Sequence, residues 1–171
     1  MREKKPENVC DELLFAQLFR THAKDLHDFL YYKFGTENLP QDLVQEAFVK
    51  LWNNCKKVPA GKARSFLFTV ANNQMLNELS KKKTALKYAQ QPRKLTTEES
   101  PEYVMQEKQF EQQLKTALEG LSEAQRVAFM MNRVEGKKHK EIAEMLGIST
   151  KAVEKRIYTA LAKLRETIEG I

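Results

Sequence analysis

The chain is poor in residues that interrupt or cross-link a fold. Its 171 residues include six Gly, five Pro, two Cys and one Trp. So few breakers, in a chain of which 30% is charged, suit a helical protein with little or no sheet. Cys10 and Cys55 stand far apart with no CxxC or CxxxH spacing. That pattern suggests neither a disulfide framework nor a zinc site, and reduced thiols are the expected state. No run of 18 apolar residues is present, and the N-terminus MREKKPENVC lacks the apolar centre of a signal peptide, so a cytoplasmic location is expected. There is no Gly-rich phosphate cradle, which leaves ATP without a sequence signal. His22 and His27 are five residues apart and do not share a face as an i, i+4 metal pair would, and His139 is remote from both. With no convergent acid–base or metal set, the chain is not expected to be an enzyme, and no cofactor, metal or small-molecule substrate is implied.

Positive charge is what the chain has in excess, and it is unevenly placed. The net charge is +6, yet residues 54–100 hold ten basic against three acidic residues, +7, while residues 1–53 hold seven against nine, −2. Residues 120–171 add ten against seven, +3. A positive field attracts nucleic acid or an anionic surface. A solvated lysine-rich linker would give the same composition.

Apolar residues recur at three- and four-residue steps from Asp11 to Phe34, giving a long amphipathic helix ended by Gly35. After a connector, Pro40 suits the first turn of a second helix, where its missing N–H costs nothing. That helix, from Asp42 to Cys55, should bury Leu43, Val44, Ala47, Phe48, Leu51 and Trp52 and show Asp42, Gln45, Glu46, Lys50 and Asn53 on its other face. A solvated surface and a protein-docking surface both fit that polar row. Residues 54–65 break the period at Pro59 and Gly61 and carry Lys56, Lys57, Lys62 and Arg64, a loop rich in donors for phosphate. A third helix, Phe66 to Lys82, buries Phe66, Leu67, Val70, Ala71, Met75 and Leu79 and carries Asn72, Asn73 and Asn77. Three Asn in mid-helix ask for a reason, which either a base edge or an internal polar contact supplies. Past Lys81, Lys82 and Lys83 the pattern decays into a linker with Pro92 and Pro101.

Periodicity resumes near Tyr103, with Val104, Phe110, Leu114, Ala117 and Leu118, and stops at Gly120. Ser122 and Gln125 form a capping box for a helix reaching Val134, with Val127, Phe129, Met130, Met131 and Val134 as its apolar bulk and Gly136 at its C-terminal cap. Residues 140–165, KEIAEMLGISTKAVEKRIYTALAKLR, then combine a short helix buried through Ile142, Ala143 and Leu146, a turn at Gly147, and a second helix capped by Ser149. Val153, Ile157, Leu161 and Leu164 line that second helix. This is helix-turn-helix spacing, although an ordinary helical hairpin shares it. The basic outward face of the second helix favours DNA. The expected fold class is therefore all-α: two small helical domains joined by a linker, the C-terminal one a helix-turn-helix.

Taken together, the chain resembles the sigma factors of bacterial RNA polymerase, specifically the small extracytoplasmic function (ECF) group that keeps only regions 2 and 4. QDLVQEAFVKLW looks like region 2.2, RSFLFTVANNQMLNEL like regions 2.3 to 2.4, and residues 121–165 like region 4. The resemblance implies a region 2 domain over residues 1–87, a linker over 88–102 and a region 4 domain over 103–171. It also implies a transcription initiation factor that binds core polymerase, reads −10 and −35 elements and assists melting. The rival is a stand-alone helix-turn-helix regulator that needs no polymerase.

By that resemblance, Asp42, Gln45, Glu46, Lys50 and Asn53 would dock on the beta-prime clamp helices of core RNA polymerase, whose beta flap is a further contact. Lys56, Lys57, Lys62, Arg64, Asn72, Asn73, Asn77, Lys81 and Lys82 would meet the −10 element, where flipping one unpaired base costs a few kcal/mol of stacking. Phe66 stands where the family often has Trp, and Asn77 and Ser80 where it has Asp and Arg, which removes a salt bridge at that point. At the −35 element Lys151, Glu154, Lys155, Tyr158 and Thr159 would reach base edges, while Lys138, Lys140, Thr150 and Arg156 hold phosphates. Glu154 is the sharpest of these, because an acid repelled by phosphate belongs in a groove only where it reads a base; pairing with Lys151 or Lys155 is the alternative. An anti-sigma factor is a further implied partner.

Overall fold

The computed structural model describes residues 9–35, 40–88 and 102–168, and the side chains within them except at 83–88 and 102–108. Among the described residues there are seven α-helices and no strand. They are α1 (Glu12–Phe34), α2 (Pro40–Asn53), α3 (Ala63–Tyr88), α4 (Glu102–Glu119), α5 (Glu123–Arg133), α6 (His139–Leu146) and α7 (Thr150–Thr167), with a 3-10 turn at Ala60–Lys62 before α3. Pro40 opens α2 as its position suggested, and α3 runs past both expected ends. Most of the expected connector after Gly35, and all but the two end residues of the expected linker over 88–102, lie outside the described residues.

Local chemistry sets the helix ends. The Asp11 carboxylate accepts from the Leu14 N–H at 2.8 Å, so α1 starts there, and Gly35 closes it with φ 80°. Ser122 and Gln125 make the reciprocal capping box that opens α5. Between α6 and α7, Gly147 adopts φ 65°, a left-handed conformation that would strain a side-chain-bearing residue, and Ser149 accepts from the Ala152 N–H. The helix-turn-helix thus rests on two nearby residues with opposite backbone preferences.

The N-terminal core packs α1 on α2 and α3 through Leu26, Phe29, Leu30, Leu43, Leu51, Leu67 and Met75. Phe15 meets Phe48 and Trp52 edge-on, and Phe29 tilts against Phe68. On the C-terminal side Val127, Met131, Ile142, Val153 and Ile157 bury α5, α6 and α7 together, and α4 closes on α7 through Ala117, Leu121, Leu164 and Ile168. The two halves are not separate in space, since one buried cluster runs from α1 into α5 and α6.

Polar contacts reinforce that junction. The Arg126 guanidinium donates to the carbonyls of Tyr32 and Lys33 at 2.7 and 2.9 Å, placing a cation on the negative end of the α1 dipole. Glu135 accepts from the Tyr32 hydroxyl at 2.5 Å and the Lys24 ammonium at 2.6 Å, and Lys137 pairs with Asp25 at 2.6 Å.

Three expectations are corrected here. Cys10 and Cys55 are not free thiols but a disulfide across 45 residues, because α1 and α2 pack so that the start of one lies beside the end of the other. Trp52 is 40% exposed, although Phe15 packs edge-on against it. Phe110 on α4 and Val134, the residue that caps the end of α5, are exposed too, at 50% and 61%.

Candidate polymerase and DNA interfaces

Three surfaces collect the residues singled out from the sequence. On α2, Asp42, Gln45, Glu46, Lys50 and Asn53 are all exposed on one side, as their i, i+3, i+4 spacing requires. Glu46 is additionally held by a hydrogen bond from the Gln74 amide of α3. Beside this polar row, Val49 is 58% exposed and adjoins the half-covered Trp52. Hydrophobic periodicity counted Trp52 as core and passed over Val49. Two large apolar side chains left uncovered beside charged ones are the sort of surface a protein partner covers.

The second surface begins where α2 ends. Lys56, Lys57 and Lys62 are exposed, and Asn73, Asn77 and Lys81 follow at four-residue steps along exposed positions of α3, with Lys82 exposed next to them. Leu76 is exposed within this stripe, a residue that the polar reading of the helix had overlooked. Two members of the expected set are not on this surface. Asn72 is half-buried and accepts from the Lys33 ammonium at 2.6 Å, which accounts for an Asn in mid-helix by an internal contact. Arg64 lies 3.7 Å from Glu144 of α6, with its side chain only 29% exposed. Arg64 also acts on His22, whose pKa is lowered first by burial and then by this guanidinium.

The third surface is the outer side of α7. Lys151, Lys155 and Tyr158 are exposed and Glu154 and Thr159 partly so, while Lys138, Lys140 and Thr150 are exposed near the starts of α6 and α7. The partner of Glu154 is neither Lys151 nor Lys155: its carboxylate stands 3.6 Å from His139 Nδ1. The Thr159 hydroxyl donates to the Lys155 carbonyl, so its proton is already engaged along the helix. Arg156 turns away from this face and lines a cavity of about 430 Å³ between the halves, together with Lys33, Phe68, Asn72, Val127 and Ile148.

Such a set can bind a protein along α2, track a phosphate backbone from Lys56 to Lys82, and present a basic helix of groove-fitting width. Comparison with known proteins turns these surfaces into an assignment. Residues 18–85 match Sigma-70 region 2, and residues 111–164 match Sigma-70, region 4. The chain belongs to the sigma-70 family.

Within the family this sigma factor falls in the ECF group. The ECF RNA polymerase sigma factor SigE of Mycolicibacterium smegmatis is 23% identical over 154 residues, which is 88% of this chain and 60% of that protein. The ferric citrate uptake sigma factor FecI of Escherichia coli is 27% identical over 151 residues, 87% of each chain. The sigma factor RpoE, solved in complex with the anti-sigma factor NepR from Bartonella quintana, shares the fold with a TM-score of 0.59 at 21% identity, over 91% of this sigma factor and 97% of RpoE. Among the described residues of the sigma factor, no helix is long and apolar enough to cross a membrane.

Proposed function

We propose that this sigma factor is a transcription initiation factor that joins core RNA polymerase in the cytoplasm, brings it to specific promoters and assists their melting. Residues 1–87 act as region 2, 88–102 as the linker and 103–171 as region 4. The outer face of α2, Asp42, Gln45, Glu46, Lys50 and Asn53 extended by Val49 and Trp52, docks on the beta-prime clamp helices, and region 4 meets the beta flap. Lys56, Lys57, Lys62, Lys81 and Lys82 hold the phosphates of the −10 strand while Asn73 and Asn77 face its bases. Lys151, Glu154, Lys155 and Tyr158 read the −35 duplex, and Lys138, Lys140 and Thr150 fix its register. Catalysis belongs to the polymerase. An anti-sigma factor is the expected protein antagonist.

The observation that carries this reading is the pairing of two family regions in one chain with an exposed surface to match each: a half-apolar, half-charged α2 face in region 2 and a basic helix-turn-helix in region 4. A stand-alone regulator would account for α6 and α7 but leaves the region 2 match over residues 18–85 without a purpose. Asn72, Arg64 and Arg156 lie at the contact between the halves, so their use on DNA requires the halves to separate. Gel filtration with core polymerase tests the reading. The sigma factor should co-elute, and the double substitution Asp42→Arg with Glu46→Arg should abolish co-elution while helicity is retained. Failure of the unaltered chain to co-elute would refute it.

A further inference from the structure

The disulfide is a feature that neither promoter recognition nor polymerase docking uses. Cys10 and Cys55 are joined with their Cα atoms 4.9 Å apart, and neither residue is fully buried. In the cytoplasm, where the proposed function places the chain, thiols are kept reduced and disulfides that do form are mostly transient, catalytic or sensing. A bridge there responds to its surroundings.

Its place in the fold says what it would control. Val9 is wholly buried, and its N–H donates to the Cys55 carbonyl at 3.3 Å, so the segment ahead of α1 lies against the turn that ends α2. That turn is tied by bonds from the Cys55 N–H to the Trp52 carbonyl and from the Lys57 and Val58 N–H groups to the Asn54 carbonyl. It is the root of the basic segment bearing Lys56, Lys57 and Lys62. The covalent link therefore fastens the start of α1 onto the base of the phosphate-facing loop. Without it the fold would persist, because Phe15 still packs on Phe48 and Trp52 and the rest of the buried cluster is untouched.

We propose that Cys10 and Cys55 are a reversible thiol–disulfide switch that sets how firmly the basic loop is held, and that an anionic low-molecular-weight disulfide is the reagent that closes it. Lys56 and Lys57, adjacent to Cys55 and exposed, attract a reagent of that charge. In the closing reaction one cysteine thiolate attacks a sulfur of the reagent, forming a mixed disulfide and releasing one reagent thiolate. The second cysteine thiolate then attacks the protein sulfur of that mixed disulfide, forming the Cys10–Cys55 bond and releasing the other. Two cysteine thiols lose two electrons and two protons, and the reagent gains both as two thiols. The closed form presents its lysines already placed and binds DNA more tightly; the open form must order the loop on binding and is weaker. The proposal rests on the assigned function only for the compartment and the DNA consequence.

The test equilibrates the full chain in mixtures of reduced and oxidised glutathione, blocks free thiols and counts them by mass, and follows amide hydrogen exchange at residues 54–58. Both thiols should disappear together in a single transition. Exchange at 54–58 should be several-fold faster in the reduced protein, and affinity for forked promoter DNA several-fold lower. Cys10→Ser should remain in the fast-exchanging state at every ratio and trap Cys55 as its glutathione mixed disulfide. Cys10→Ser with Cys55→Ser, folded by circular dichroism, should lose all dependence on the ratio. Two thiols still free in excess oxidised glutathione, or a bridge that forms without altering exchange or affinity, would overturn the switch. The thiol count and the exchange use neither polymerase nor DNA, so they stand apart from any failure of the sigma-factor assignment.

Discussion

Removing the Glu135 carboxylate should loosen the junction between the halves by an amount that its partners allow to be apportioned. Glu135 accepts from Tyr32 at 2.5 Å and from Lys24 at 2.6 Å. The Lys24 side chain is 70% exposed and also bonds Asp28, so this exposed ion pair contributes only about 0–1 kcal/mol. Tyr32 is buried, and a hydrogen bond from it to a charged acceptor is worth about 1.5–3 kcal/mol. Glu135→Ala, which strands the phenol, should therefore cost about 2–3 kcal/mol, and Glu135→Gln, which keeps an acceptor but not the charge, about 1 kcal/mol. For a chain of this size each kcal/mol lowers Tm by about 2–4 °C. A double-mutant cycle with Tyr32→Phe in urea unfolding isolates the contact: the coupling should exceed the roughly 0.5 kcal/mol seen between independent sites. Additive single effects, or equal destabilisation by Ala and Gln, would refute the account and leave the apolar cluster as the whole of the junction.

Acid should weaken the protein in two windows. The His22 pKa is lowered, first by burial and then by Arg64, so the stability this neutral imidazole carries is present above its ordinary 6.5 and is lost as pH falls through the depressed native value. Glu135 is held below its ordinary 4.5, first by the Lys24 bond and then by the Tyr32 bond, and its contribution is lost lower still, as pH falls through the native value. Urea midpoints measured against pH should flatten in the upper window for His22→Gln and in the lower for Glu135→Gln; parallel profiles would show that neither group couples to folding. Glu154→Ala should shift the preferred −35 bases in selection from randomised duplexes by about 1–3 kcal/mol at one position, and unchanged preference with unchanged affinity would leave Glu154 only as the neighbour of His139. Lys81→Gln with Lys82→Gln should reduce the slope of log affinity against log salt by about 0.7 for each single-strand phosphate that is no longer neutralised, measured by anisotropy, and an unaltered slope would place both lysines outside the interface.

What the sequence alone determined is whatever depends on neighbours within a few residues. Asp11, the Ser122–Gln125 box, Gly147 and Ser149 set helix ends by bonding to the backbone beside them or by the conformation they allow it, so the helices and the helix-turn-helix were legible from spacing and caps. The exposed rows of α2 and α7 followed from the same periodicity. Tertiary structure decided everything that needs two distant segments to meet. Cys10 reaches Cys55, Arg126 caps α1, Glu135 takes Tyr32 and Lys24, and Asn72 turns to Lys33 instead of outward, across sequence separations of 39 to 111 residues. No local pattern carries those pairings, because a polar side chain's partner is set by which helix packs against its own; the buried cluster joining α1 to α5 and α6 is what brings most of them within reach.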